Sequence, residues 1–200
     1  MMSMKILSHS TKSLIRESIE TILLISLIIS VFHISLQNFQ VEGSSMDPNI
    51  KEGNCVVAEK VTYWKKPELF SNYLHDNYIF DQPNRGEVVI FKFPNDPTRF
   101  FVKRIIAIEG DSVEIKYGNV YVNNIKIDEP YLTHLNSESE YLSPAIIGEN
   151  QYYVLGDNRT GSNDSRNWGT ISDEHIIGKY FFKYGSNICN SFLTSSKGLR

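Results

Sequence analysis

The sequence predicts a mainly β protein: an all-β domain preceded by one N-terminal transmembrane helix. Three observations predict it. An uncharged, strongly apolar stretch lies between Glu20 and Glu42. Behind it come short β-branched and aromatic runs separated by Gly, Asn, Asp and Pro clusters. No stretch after the apolar segment keeps a helical period, and no internal repeat is visible.

The apolar stretch runs from Thr21 to Leu36 and fades through Gln37–Val41. A helix rises about 1.5 Å per residue, so about 20 residues cross a bilayer's hydrocarbon layer. Three readings compete. A cleaved signal peptide would need a small-x-small site, which the surroundings of Ser35-Leu36-Gln37 lack. A buried soluble helix would keep a polar face. The transmembrane anchor is therefore favoured, over residues 19–38, with 1–18 as a cytoplasmic stub. His33 then reads as a polar residue near the membrane interface. Lys5, Lys12 and Arg16 precede the segment and the next lysine is Lys51. The positive-inside rule places the N-terminus in the cytoplasm and the domain over 39–190 outside the plasma membrane.

Strands are expected at Asn54–Lys60, Gly86–Phe93 and Phe100–Ile108. A turn at Pro94–Pro97 separates the last two. Val113–Tyr117, Asn119–Val122 and Ile125–Ile127 follow closely, with turns at Gly118-Asn119 and Asn123-Asn124, and read as a meander. Gln151–Leu155 and Ile176–Phe182 supply late strands. Tyr63–Asn84 and Thr133–Glu149 read as surface loops, and 191–200 as a frayed tail.

Composition excludes several classes. The 200 residues carry 20 Lys and Arg against 23 Asp and Glu, a balance unlike that of a nucleic-acid binder. The apolar fraction of 41% excludes wholesale disorder. The mean hydropathy of -0.26 averages a lipid-facing stretch with a polar domain. Cys55 and Cys189 fit no metal spacing, and neither a metal nor a cofactor is expected. An outside compartment permits a disulfide between them, but two unpaired thiols fit as well.

Three segments carry candidate chemistry. Gly43-Ser44-Ser45-Met46-Asp47-Pro48 offers serine hydroxyls, which are poor nucleophiles until a base takes their proton. Taken alone, it also fits a plain linker. Lys103 lies among Phe100-Phe101-Val102 and Ile105-Ile106-Ala107-Ile108. Strand alternation puts Phe101, Lys103 and Ile105 on one face. Such neighbours desolvate an ammonium and lower its pKa, and a neutral lysine can act as a base. The pattern equally fits a lysine that extends its head to water. Gly156–Gly169 is a loop dense in Asn, Asp, Ser, Arg and Gly.

Together these segments resemble the bacterial type I signal peptidases, over roughly Val41 to Phe182. The matching boxes are Gly43–Pro48, Gly86–Phe91, Phe101–Ile106 with Gly110-Asp111, and Gly156-Asp157-Asn158-Arg159 with Ser162, Asp164-Ser165-Arg166 and Trp168-Gly169. Each box is weak alone, and four in order behind an anchor are specific. The resemblance implies a membrane-bound endopeptidase that removes signal peptides from exported preproteins through an acyl-enzyme. It puts the nucleophile on Ser45 and the general base on Lys103. Ser162 falls on a hydroxyl that orients the lysine, and Asp164 and Arg166 on a supporting ion pair. Arg104, Asp157 and Asn158 fall on motif positions of structural character. Met46 is the candidate for substrate contact. Some members carry a hydroxyl at the position of Gly43 that helps stabilise the oxyanion; here the Ser45 backbone N–H is left as one donor. Asn49 stands where the family often has Thr, with little consequence expected. Implied partners are preproteins, the bilayer and the translocation machinery, with no nucleic acid.

Two other classes remain to be weighed. A non-catalytic anchored β-domain would not need Ser45, Lys103 and Ser162 together. A self-cleaving serine–lysine repressor would carry a DNA-binding N-terminus where this chain has its apolar segment. The eukaryotic reticulum version of the peptidase has His in place of the lysine, so Lys103 speaks for a bacterial-type or organelle enzyme.

Overall fold

A computed structural model of the chain describes residues 3–66, 78–132, 140–185 and 197–199. They form two compact units, Met1–Leu36 and Gln37–Arg200.

The first unit is one helix, α1 (Ser3–Ser35). Its Ser13–Ser35 part has a mean hydropathy of 1.9 and is long and apolar enough to cross a membrane. Large apolar side chains such as Leu23, Leu27, Phe32 and Ile34 lie exposed all around it. An all-round apolar surface has no stable place in water. The helix starts within the expected stub and stops before residue 38. Leu36–Val41 instead forms strand β1, because Phe39 and Val41 alternate with Gln40 and bury themselves in the sheet.

The second unit is built on two sheets. The larger holds β1, β2 (Cys55–Glu59), β3 (Val88–Phe93), β4 (Asp96–Ile108), β9 (Gln151–Leu155), β10 (Ile171–Ser172), β11 (Ile176–Tyr184) and β12 (Lys197–Leu199). Its order is β10-β9-β4-β12-β1-β2-β11-β3, and β3 also pairs with β4. Six strands therefore close on themselves, which removes their free edges. The smaller sheet has the order β7-β6-β5-β8, from β5 (Ser112–Lys116), β6 (Asn119–Val122), β7 (Ile125–Lys126) and β8 (Leu142–Ile146). Its last turn is Asn123-Asn124 at φ 52° and 65°, where asparagine tolerates the left-handed conformation that a tight hairpin demands.

The outcome departs from expectation at four places. The Pro94–Pro97 turn shrinks to Pro94-Asn95, and β4 begins at Asp96, paired with Phe93. Within the Tyr63–Asn84 loop, Tyr63 and Tyr78 are buried against Tyr152, Phe91 and Phe101 rather than lying on the surface. The Thr133–Glu149 loop contains β8, whose exposed residues give no alternation to read. The tail expected to fray contributes β12, which runs parallel to β1 with Phe39 opposite Lys197 and Val41 opposite Leu199. Residues 67–77, 133–139, 186–196 and 200 lie outside the described residues. Cys55 opens β2, fully buried and disulfide-bonded.

Alternation along β4 divides the core. Phe100 and Val102 point into the cluster of Phe39, Val41, Met46, Ile50, Val56, Ala58 and Ile90. Phe101 and Ile105 point the other way, with Phe91, Phe93, Val154 and Ile171. Ile106, Ala107 and Leu155 join the small sheet through Val113, Ile115, Val120 and Val122. A buried side chain of this kind contributes about 1.5–3 kcal/mol, so both faces of β4 are fixed strongly.

Candidate active site

β4 has β3 along one edge. On its other edge β12 meets Phe100 and β9 begins opposite Arg104. Among the described pairings, Phe101 to Lys103 have no strand on that side. The break in the ladder is where the serine loop sits.

Ser45 is carried by the loop between β1 and β2. The loop closes on itself: the Asp47 N–H donates to the Ser44 carbonyl at 3.0 Å and the Ile50 N–H to the Met46 carbonyl at 2.8 Å. Met46 does not touch a substrate surface, as had been expected of it. It has no exposed area and packs in the cluster of Phe39, Val41 and Ile50. An unbranched, adaptable side chain there pins the loop from beneath and fixes the height of the serine above the core.

Lys103 is the one fully buried lysine among the described residues, 1% exposed. Its Nζ donates to Ser45 Oγ at 2.8 Å and to the Val102 carbonyl at 3.0 Å, and lies 5.0 Å from the centroid of the Phe101 ring. No carboxylate among the described residues pairs with it. Burial pushes its pKa down to about 8 from the usual 10.5. The charges of Asp164 and then Asp157 act in the opposite direction and limit the fall.

A second loop clamps the serine from the other side. The Asn158 N–H donates to the Ser45 carbonyl at 2.9 Å, and the Asn158 side chain donates to the Ser44 carbonyl at 3.1 Å. Gly156 approaches so closely that a Cβ there would fall 2.4 Å from the Ser45 carbonyl oxygen and 2.3 Å from Ser162 Oγ. Only glycine fits. The Gly156 N–H donates to buried Asp164 at 3.0 Å. Asp164 also accepts from Arg166 Nε at 2.7 Å and caps the one-turn helix α2 (Ser165–Trp168). Arg166 reaches Glu140 at 2.7 Å and the Arg159 carbonyl at 2.6 Å. The Asp164–Arg166 pair thus holds the strand end that holds the serine.

Arg104 faces away from Lys103 and grips fully buried Asp157 with two N–H groups, at 2.8 and 2.7 Å. Asn49 has more consequence than expected: its amide donates to Asp157 Oδ2 at 2.8 Å and to the Tyr131 carbonyl at 2.9 Å. It ties the serine loop to residues 82 and 108 positions away, contacts that no local pattern announces. Ser162 departs from its expected role. Its buried Oγ makes no hydrogen bond, and the Val102 carbonyl takes the place at Lys103 Nζ.

A cavity of about 150 Å³ opens on the pair, lined by Glu42, Gly43, Ser44, Ser45, Arg99, Phe101, Lys103, Gly161 and Asn163. A Cβ on Gly43 would meet no atom within 4 Å, so the position is open toward solvent or ligand. Arg99 escaped the sequence reading, although it shares the strand face of Phe101 and Lys103. Among the described residues no group of His, Cys, Asp and Glu is placed to hold a metal ion.

A buried amine bonded to a serine hydroxyl is able to do one kind of chemistry: proton abstraction from that hydroxyl once the amine is neutral. Comparison with known proteins points to one family. Residues 14–185 match the family model described as signal peptidase, peptidase S26. Among curated relatives, "Thylakoidal processing peptidase 1, chloroplastic" of Arabidopsis thaliana is 36% identical over 148 residues, covering 72% of this chain and 40% of that protein. "Probable signal peptidase I-2" of Synechocystis is 35% identical over 150 residues, covering 72% of this chain and 61% of that one. "Signal peptidase I U" of Bacillus subtilis is 31% identical over 187 residues, covering 85% and 91%. The chain thus spans less than two thirds of the length of the first two.

Proposed function

The chain belongs to the signal peptidase family, peptidase S26, and from that premise we propose that it is a membrane-bound serine endopeptidase that cleaves signal peptides from exported preproteins. The observation that carries the reading is the 2.8 Å contact between Lys103 Nζ and Ser45 Oγ, made by a lysine with almost no access to water.

Neutral Lys103 takes the Ser45 proton as Ser45 Oγ attacks the scissile carbonyl. The Ser45 N–H is one donor to the oxyanion that forms. Protonated Lys103 then passes its proton to the leaving amine. A water activated by the same lysine cleaves the ester and frees the serine. The clamp from Asn158 and Gly156 keeps the serine backbone still while its hydroxyl reacts. Small side chains at positions -3 and -1 before the cut, of the A-x-A kind, suit the limited cavity.

α1 is the membrane anchor in this reading, with its N-terminal end in the cytoplasm and the β-unit on the outer face. The bilayer, the preproteins and the translocation machinery are its partners. A non-catalytic binding module would leave the buried lysine without a purpose, since an unpaired ammonium in the core is a standing cost.

The test is cleavage of a signal-peptide substrate by the detergent-solubilised full chain. Wild type cuts, while Ser45→Ala and Lys103→Arg fall by at least about a thousandfold, since a guanidinium stays charged and cannot act as base. Variants near wild-type rate refute the assignment. Activity of wild type should rise with pH through about 8, because the deprotonated amine is the active form; a flat profile across that value counts against Lys103.

A further inference from the structure

Arg99 stands on β4 two residues before Phe101 and four before Lys103, on the same face of the strand. Its guanidinium carbon lies 5.4 Å from the centroid of the Phe101 ring and 5.6 Å from that of Phe93. These two rings are themselves stacked at 4.7 Å. The arginine is thus held by a rigid aromatic shelf and keeps few rotamers to lose on binding.

Its donors are not used up among the described residues. No carboxylate among the described residues forms an ion pair with it, and its buried Nε has no hydrogen-bond partner. Asp96, the carboxylate that feels its charge, is bonded to Thr98 instead. A buried donor without an acceptor is unfavourable, and an acceptor arriving from outside relieves that cost. The cavity that Arg99 lines together with Ser45 and Lys103 gives such an acceptor a route to it.

The geometry points to Arg99 as a specificity-determining residue that receives an acidic side chain of the substrate near the scissile bond. This rests on the endopeptidase reading above. A guanidinium fits a carboxylate with two parallel N–H bonds, which a neutral amide cannot match. Strand rise sets the register. Four residues of β4 span about 13 Å, and the length of the arginine side chain shortens the gap. An extended substrate covers it in two to four residues, roughly, counted from the cut.

The experiment separates binding from cleavage. Fluorescent peptides with a small-residue cleavage site carry Glu, Gln or Lys at successive positions on both sides of the scissile bond. Their binding is measured to the full chain in detergent with Ser45→Ala, alone and combined with Arg99→Met or Arg99→Glu. With Arg99 present, the Glu peptide at one or two adjacent positions should bind roughly tenfold tighter than its Gln counterpart. Arg99→Met should erase that ratio, and Arg99→Glu should turn it toward the Lys peptide. A Glu-to-Gln ratio unchanged by Arg99→Met, or no preference at any position, overturns the inference. Wild-type cleavage of the neutral peptide is read in parallel. Cleavage without charge preference leaves the peptidase and removes the subsite. Charge preference that depends on Arg99 without any cleavage leaves the subsite and removes the peptidase.

Discussion

Lys103 and Arg104 are consecutive cations on one strand, and alternation turns them to opposite sides. Arg104 meets a carboxylate, the Gly86 carbonyl at 2.8 Å and the face of Tyr131 at 4.0 Å. Every part of its guanidinium is answered, and it remains a fixed charge. Lys103 meets a hydroxyl, one carbonyl and apolar side chains, with Asp164 and Asp157 acting only from a distance. The strand spends one cation on holding the site together and makes the other reactive by withholding a partner. Lys103 is buried and Arg104 half-buried, and the presence of a counter-charge is what separates structure from chemistry.

The largest test of this contrast is Lys103→Met. Cleavage should vanish, while the protein becomes more stable at pH 7, by about 1–3 kcal/mol. The sign follows from proton binding. On folding, the lysine pKa falls from 10.5 to about 8, so between these values the unfolded chain holds more protons than the folded one. Stability therefore rises with pH across that window, and the penalty is complete below it. Thermal unfolding at pH 7 and near pH 10 should show the gain of Lys103→Met at the lower pH and little gain at the higher. A variant that is less stable at pH 7 breaks the contrast.

Arg104→Met does the reverse. It strips two donors from Asp157, which has no exposed side-chain area, and should cost about 3–5 kcal/mol. A marked drop in unfolding temperature is the readout, and an unchanged one would show that the pair holds nothing.

Gly156→Ala touches neither cation. Its Cβ must displace the Ser45 carbonyl or Ser162, which costs about 1–3 kcal/mol of strain or an equivalent loss of alignment. A fall of roughly ten- to a hundredfold in kcat/KM is expected, with the pH midpoint unmoved. A shift in that midpoint instead would mean that the glycine acts through the lysine.

The smallest effect belongs to Asp164→Asn, which keeps an acceptor for the Gly156 N–H and removes the charge. Because Asp164 holds the lysine pKa up, the rise of activity with pH should move to lower pH by a fraction of a unit. A move upward would reverse the account of which groups tune Lys103.

Much of this was legible in the residues. The run around Lys103 is apolar on both sides of an alternation, and Phe101 and Ile105 do share a cluster that excludes Phe100 and Val102. The hairpin turns announced themselves through Gly and Asn. What stayed hidden has physical reasons. β1 continues the apolar run of α1 without a breaking residue, so a change of period from helix to strand carries the only signal, in Phe39 and Val41. β8 is exposed and has no face to bury. β12 is three residues long and pairs with strands far away in sequence. Asn49 read as inconsequential because its partners lie across the fold, and no local pattern around Met46 shows that it turns into the core. Ser162 was assigned through resemblance, and its hydroxyl lies against Gly156 without a hydrogen-bond partner.

The position of β12 gives the molecule a gauge. β1, which leads to Ser45, and β4, which bears Lys103, are not neighbours, because Lys197–Leu199 lies between them. Two strand spacings separate them, about 10 Å in all. That gap is the width of one extended chain. A helix with its side chains is about 10–12 Å across and is too stout to take a single strand's place. Lys197–Leu199 takes that place as an extended strand, so this part of the frame is closed by the chain itself.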